Sequence, residues 1–373
     1  MREKLAIIDY VGSKAGMNYY DNGLIKGLQS HKIQVFLFSN FISNHSFCVS
    51  KKYFPKFIKN IFLKSFLLFV AYLRSLFFCR YKGVNTLIVH VFNTKFFYFT
   101  FFCLAKILGF NIIVISHDVF SLASDDNNLV KNWIYNSIAS NIIVHNDYSY
   151  EKIKLFVSDL NKVHIIKQGS YLDILDPEIN KKKARKMLDL DENKKYILFF
   201  GQIKKKKRLD VLLNAMKCVD KDIILIIAGK EWKDNFVDYA KIIKKNKIEN
   251  RVIQKRYFIP SKERELIFKA SDAMILPFEE VYQSASALMG MSYGLPVIAS
   301  DISGFKEFIH NEINGILFNK NSALDLSEKI NVLFKDQKMY QKIKNNAILT
   351  MKNDFSWSKI ALQYKNILNF KHE

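Results

Sequence analysis

Short apolar runs alternate with helically spaced segments along most of the chain. In the first half, buried-strand patterns fall at 4–10, 32–39, 86–92 (TLIVHVF), 111–116 (NIIVIS), 141–145 (NIIVH) and 163–167 (VHIIK). Helical patterns lie between them at 19–30, near 95–108, near 128–139 and at 148–157. A second series opens at 196–200 (YILFF) and continues with strands at 223–228, 251–254, 273–277, 296–300 and 315–318. Helices at 209–218, 235–245 and 262–270 separate these strands, and further helices follow to the end. Continuous apolar strands alternating with helices predict parallel sheets buried on both faces. The fold class expected is α/β: two doubly wound, Rossmann-like domains facing a cleft, with ligands at the carboxyl ends of the strands. The expected boundaries are 1–172, a polar connection at 173–193 (including KKKARKMLDLDEN), 194–355, and a helix within 356–373 packed back across the domain junction.

Two segments break this rhythm. Residues 51–82 interleave Lys and Arg with Phe, Leu and Tyr, and the longest uncharged part runs only from Ser65 to Leu73. That is far short of the ~20 apolar residues of a membrane-spanning helix. The expected structure is instead an amphipathic helix lying in a membrane interface, its Lys and Arg meeting lipid phosphates. Residues 281–300, VYQSASALMGMSYGLPVIAS, place a charge-free helix behind the polar pair Gln283-Ser284 and ahead of a buried strand. A helix of that kind turns its first N–H groups, and the positive end of its dipole, toward a phosphate. Ser284 is then either an N-cap or a donor to the ligand, and Ala285 is small enough to admit it.

The charge sharpens the picture. Among 373 residues, 57 Lys and Arg outweigh 35 Asp and Glu, a formal net charge of +22, which implies an anionic partner. Neither a zinc finger, an RNA-recognition signature nor a basic reading helix is present, so nucleic acid is not the expected partner. The four Cys have no paired spacing, which fits a reducing cytoplasm and gives no zinc or disulfide framework. The first loop, VGSKAGMN, holds Gly12 and Gly16 but no GxGxxG.

The chain carries, in order, FFGQIKKKKRLDVLLNA, ILIIAGK, ASDAMILPF, QSASALMGMSYGLPVIASDISGFKEFI and NGILF. This ordered set resembles the motifs of the retaining glycosyltransferases of the family 4 type, which have the GT-B architecture of two Rossmann-like domains. The resemblance covers nearly the whole chain and is densest over 196–318. It implies a nucleotide-diphosphate sugar as donor substrate and no resident cofactor or metal. It also implies transfer with retention, in which the leaving phosphate takes the acceptor's proton. Gly201 and Gln202 then stand in the family's Gly-Arg turn, Lys207 is its diphosphate-binding Lys, and Arg208 occupies the place of a Gly. The family's paired Glu would fall at Val281 and Met289, and neither is acidic. The chain resembles instead a subgroup with Gln-Ser-Gly at the helix, here Gln283, Ser284 and Ala285. His117, in a His-Asp-Val loop with Asp118, is implied beside the reacting sugar, and Glu279, Glu280 and Glu307 are candidates for its hydroxyls. Gln168-Gly169-Ser170-Tyr171 matches a His-Gly-x-Tyr stretch, with Gln in place of His. Gly16, Asn18 and Tyr19 are placed by position on the acceptor side.

The expected function is a cytoplasmic enzyme, peripheral on the inner face of the plasma membrane. It would extend a lipid-linked glycan in surface polysaccharide biosynthesis at an anionic membrane surface. A sugar-nucleotide 2-epimerase shares this architecture and would fit the same fold. An inactive transferase-like scaffold would fit the missing Glu pair, and a basic nucleic-acid-binding protein would fit the charge alone.

Overall fold

The computed structural model describes residues 3–13, 16–56, 58–92, 96–120, 127–232 and 235–368, with backbone alone for 96–98. The chain forms two compact units: one runs to Gly169 and is joined by the C-terminal segment from Phe355, and the other spans Ser170–Asp354.

The first unit is built on a seven-stranded sheet ordered β3-β2-β1-β4-β5-β6-β7. Its strands are β1 Lys4–Ile8, β2 Gln34–Ser39, β3 Cys48–Lys52, β4 Thr86–Val91, β5 Asn111–Ser116, β6 Asn141–Val144 and β7 Val163–Ile165. Every pairing is parallel. The strand order reverses between β1 and β4, which makes the carboxyl ends of those two strands the switch point of this sheet. The helix Met17–Ser30 buries Met17, Tyr20, Asp21, Leu24, Ile25 and Leu28, one face at helical spacing. The C-terminal helix Trp357–Ile367 completes the same core with Trp357, Ile360, Ala361 and Tyr364. A Cβ on Gly23 would lie 2.1 Å from the Trp357 ring, and one on Gly27 would lie 2.2 Å from the Trp357 carbonyl oxygen. Two glycines about one turn apart therefore form the groove that seats this helix, which is an integral part of the first unit.

The segment 51–82 differs from its expectation. Lys51 and Lys52 end the edge strand β3, and a single helix, Ile61–Tyr81, follows, its first N–H groups capped by Asn60. Leu68, Ala71, Tyr72, Ser75, Leu76 and Cys79 are buried along one face. Ile61, Phe62, Leu63, Phe66, Phe69 and Phe77 are exposed elsewhere on it. The helix is therefore apolar nearly all round rather than divided into apolar and polar faces. By length and composition alone it is long and apolar enough to cross a membrane, yet one face is part of the packed unit.

The second unit holds a six-stranded parallel sheet ordered β10-β9-β8-β11-β12-β13. Its strands are β8 Lys195–Phe200, β9 Ile223–Ala228, β10 Val252–Lys255, β11 Ala273–Leu276, β12 Val297–Ser300 and β13 Ile316–Phe318. The switch point lies between β8 and β11. Residues 173–193, expected as a connection, are built into this unit. The helix Lys181–Met187 packs on the helix Ser261–Ala270. It buries Arg185, whose guanidinium donates to the Ala270 carbonyl at 3.1 Å, the Glu192 carbonyl at 2.8 Å and Asp272 at 2.7 Å. Asp272 also accepts from the Tyr196 N–H at 2.7 Å, which ties this helix to the first strand of the sheet. In sequence the segment looks like a charged linker, because the Arg that anchors it is one among many basic residues.

Candidate functional site

In the second unit the expected residues gather where β8 ends. Gly201 follows β8 with φ +111°, a conformation that side chains other than hydrogen resist. The next residues form a turn that carries Lys207 back over it: a Cβ on Gly201 would lie 2.6 Å from Lys207 Nζ and 3.4 Å from Ser286 Oγ. Lys207 Nζ sits 4.7 Å from the centroid of the Phe278 ring, just past β11. Burial, and secondarily the charge of Lys204, push the Lys207 ammonium down to about 7. No carboxylate is paired with it among the described residues. A buried cation without a counter-ion is costly, and an incoming anion removes that cost.

The opening of the helix Ala285–Ser292 supplies the third side of this cluster. Ser284 is its N-cap, and its Oγ accepts from the Ala287 N–H at 3.2 Å. The Ser284 hydroxyl therefore serves the helix, and Ser286, on the first turn, is the hydroxyl near Gly201 and Lys207. Ala285, at the start of that turn, is exposed. Gln283 Oε1 is buried with no hydrogen-bond partner, an acceptor left open beside the helix start. Gly304 permits the close approach of this loop, since a Cβ there would meet the Val281 carbonyl oxygen at 2.1 Å.

The other expected donor residues are placed differently. Gln202 is exposed. Arg208, in the left-handed region at φ 49°, turns its guanidinium onto Asp210 at 2.9 Å and onto Asn321. It is thus held by an acid and an amide, and does not stand in for the Arg of the Gly-Arg turn. Lys206 pairs with Glu280 at 3.0 Å, while Glu279 is exposed, with its N–H on the Lys206 carbonyl. Glu307 ends the short helix Ser303–Lys306 and is partly exposed.

In the first unit, His117 follows β5 at its carboxyl end, and it is one of a row. His90 lies in β4, and His145 follows β6. His117 Nε2 meets His90 Nδ1 at 2.8 Å, and His117 Nδ1 meets His145 Nε2 at 3.2 Å. The row ends at one side with His90 Nε2 on Asp21 Oδ1 at 3.0 Å, and at the other with His145 Nδ1 on the Ile166 carbonyl oxygen at 2.8 Å. Asp9, after β1, adjoins Asp21, and its two oxygens accept the Val11 and Gly12 N–H groups at 2.8 Å each. The Tyr20 ring lies against all three imidazoles, with centroids 5.3 to 5.6 Å away. Phe92 stacks on His117 at 4.7 Å with the rings 4° from parallel. Burial, then the neighbouring His145 and His90, hold His117 well below the usual imidazole range, and burial pushes His145 down to about 4. The same burial raises Asp21 to about 7 and, with the charge of Asp21, Asp9 to about 8. The sequence points to His117 alone, although both of its partners are the rare polar residue at the end of an apolar strand (TLIVHV, NIIVH).

Of the acceptor-side expectations, Gly16 precedes the first helix at φ 81°, and the Asn18 N–H donates to the Gly12 carbonyl at 3.0 Å. Tyr19 and Asp118 are partly exposed at the same end of the sheet as the row. Among the described residues no group of three or more His, Cys, Asp or Glu converges as a metal position. The imidazoles of the row bond to one another rather than to a common point.

Both units are Rossmann-like, and their fold is the GT-B architecture of known glycosyltransferases. Sucrose-phosphate synthase from Thermosynechococcus elongatus superposes with a TM-score of 0.79 over 98% of both chains at 18% identity. Anabaena HepE, solved in complex with UDP and glucose, superposes with a TM-score of 0.76 over 98% of this chain and 99% of its own at 17% identity. Residues 180–350, within the second unit, match the family model Glycosyl transferases group 1. An uncharacterized glycosyltransferase of Methanocaldococcus jannaschii is 25% identical over 68% of this chain and 66% of its own length. An uncharacterized 41.2 kDa protein in the cps region of Klebsiella pneumoniae is 25% identical over 53% of each. The chain spans roughly half to two thirds of the length of the curated relatives it matches.

Proposed function

We propose that the chain is a retaining glycosyltransferase that moves a sugar from a nucleotide-diphosphate donor to a lipid-linked glycan in surface polysaccharide biosynthesis. The observation that carries this reading is the Lys207 ammonium. It is held without a counter-ion among the described residues, over Gly201 and beside Ser286 and the first turn of a charge-free helix. Cleaving the donor leaves negative charge on a diphosphate, and a preorganised cation and free N–H groups stabilise that charge without reorganising. No resident metal is required by this arrangement. The bound UDP in the HepE structure and the group 1 match over this unit support a nucleotide sugar as the ligand. Retention follows from same-face attack, in which the leaving phosphate takes the acceptor proton.

The exposed apolar side of the helix Ile61–Tyr81, with Lys56, Lys59 and Lys64 nearby, supports an anionic membrane surface on the cytoplasmic side as the place of work. The relative from a cps region supports a polysaccharide product. The test is a thermal-shift screen of the full chain with UDP, GDP, ADP and CMP sugars, with and without a divalent metal. A ligand at ~100 times its dissociation constant adds roughly 2.7 kcal/mol to a folded state it alone binds. A metal-independent shift with one nucleotide, lost in Lys207→Ala, is the expected result. No shift with any of them at millimolar ligand overturns the reading.

A further inference from the structure

The bonding sense of the histidine row follows from its ends. The Ile166 carbonyl oxygen only accepts, so His145 must carry its proton on Nδ1. If His145 is neutral, its Nε2 accepts, and the bond to His117 must come from His117 Nδ1–H. A neutral His117 then accepts at Nε2 from His90 Nδ1–H. A neutral His90 accepts at Nε2, and the one group left to donate there is the Asp21 carboxyl. Four hydrogen bonds need four protons: three neutral imidazoles supply one each, and an acid supplies the fourth.

We infer that Asp21, His90 and His145 are positioning residues that hold His117 as a neutral Nδ1–H imidazole, with the last proton of the row resting on the Asp21 carboxyl. The other distribution of four protons, an Asp21 carboxylate with one imidazolium, places two charges in the same interior. Asp21 is wholly buried, and His90 and His145 nearly so. Burial disfavours both charged forms: it lowers the histidines and raises Asp21, and for Asp21 it outweighs the hydrogen bond with Asp9, which acts the other way. The groups facing Asp21 are Asp9 beyond β1, His90 from β4, Cys48 from β3, Tyr20 on its own helix and Tyr364 from the C-terminal helix. None of these is a Lys or Arg that would keep Asp21 ionised.

The consequence for His117 is specific. Both of its ring nitrogens are engaged, so it presents an uncharged, oriented ring at the end of β5 instead of a free N–H. A ligand that bonds to its Nε2 must displace His90. The meaning of this for a sugar rests on the proposed transfer, but the row is tested without any substrate, so the two can fail separately.

The experiment is nitrogen NMR of the full chain with ¹⁵N-labelled histidine, for the wild type and Asp21→Asn. At about pH 6, above His145 and below the raised acid, and with burial lowering His90 and His117 as well, three neutral Nδ1–H rings are expected. In the wild type these signals change as pH rises past the Asp21 titration, because ionised Asp21 removes one of the four protons. Asp21→Asn carries a permanent N–H donor, so the tautomers are expected to stay and the pH-dependent change to disappear. A merely structural acid would leave the variant with the wild-type pH response. An Nε2–H tautomer or an imidazolium in the row at about pH 6, or an unchanged pH step in Asp21→Asn, overturns the inference. If Asp21→Asn does not fold, His145→Leu decides. With neither donor nor acceptor left at that end, the Asp21 carboxyl alone orients His90 and His117, which keep Nδ1–H, and a switch to Nε2–H in either overturns the inference.

Discussion

Replacing Lys207 by Met should stabilise the empty protein and abolish its nucleotide binding. In the folded chain burial holds this ammonium at about 7, against an ordinary 10.5. The unfolded chain therefore binds more protons between those two values, and stability rises with pH across that window. The cost of the buried ammonium is fully present below pH 7 and gone above the unfolded value. At pH 7 it is at most about 4 kcal/mol, from roughly 1.4 kcal/mol per pKa unit. The residue as a whole keeps part of its surface exposed, which lowers that figure. Met retains the apolar stem over Phe278 and carries no charge. The expected gain is about 1–4 kcal/mol at pH 7, read as a higher urea midpoint with unchanged slope and shrinking toward zero near pH 10. Nucleoside diphosphate affinity, measured by calorimetry on the same preparations, should fall at least tenfold. A less stable Lys207→Met at pH 7, or a difference that does not change with pH, refutes the reasoning that this Lys is an unpaired cation awaiting an anion.

Gly201→Ala forces a Cβ into a positive-φ residue and to within 2.6 Å of Lys207 Nζ, so it should weaken nucleoside diphosphate binding about tenfold or more by calorimetry. Asp272→Asn leaves Arg185 buried without its counter-charge and should cost about 3–5 kcal/mol in urea unfolding, whereas an exposed pair such as Lys206–Glu280 should cost under about 1 kcal/mol. Phe62→Ser with Phe66→Ser removes exposed apolar surface from the helix Ile61–Tyr81; co-sedimentation with anionic vesicles should drop several-fold while the melting temperature stays put, because neither side chain is in the core.

Most strands of both sheets could be read from the sequence because they are runs of apolar residues buried on both faces, and the half-exposed edge strands β7 (VHI) and β10 (VIQK) still carry β-branched residues. β3 could not: CVSKK is half-exposed at a sheet edge, so its pattern is polar. The 281–300 stretch was legible for the same kind of reason, since a helix without charge is confined to an interior. Lys207 was not legible by itself. It is one of four consecutive Lys, and only the register of a known family separates it from neighbours that face solvent. The histidine row was legible at one member, because a polar residue at a strand end says nothing about which other strand ends lie next to it. That adjacency is set by sheet order, β1-β4-β5-β6-β7, which the sequence does not state. The helix Lys181–Met187 misled for the opposite reason: one Arg among its Lys is buried and carries the packing.

Donor turnover by the full chain tests the proposed transfer itself. The purified protein, on anionic vesicles carrying extracted lipid-linked glycan, is given the nucleotide sugar selected by thermal shift, and released nucleoside diphosphate and the glycan product are followed by NMR. Equimolar nucleotide release and sugar transfer are expected with the donor's anomeric configuration retained, and neither with Lys207→Met. Donor bound but never consumed, an inverted anomer, or turnover undiminished in Lys207→Met would contradict the proposed function.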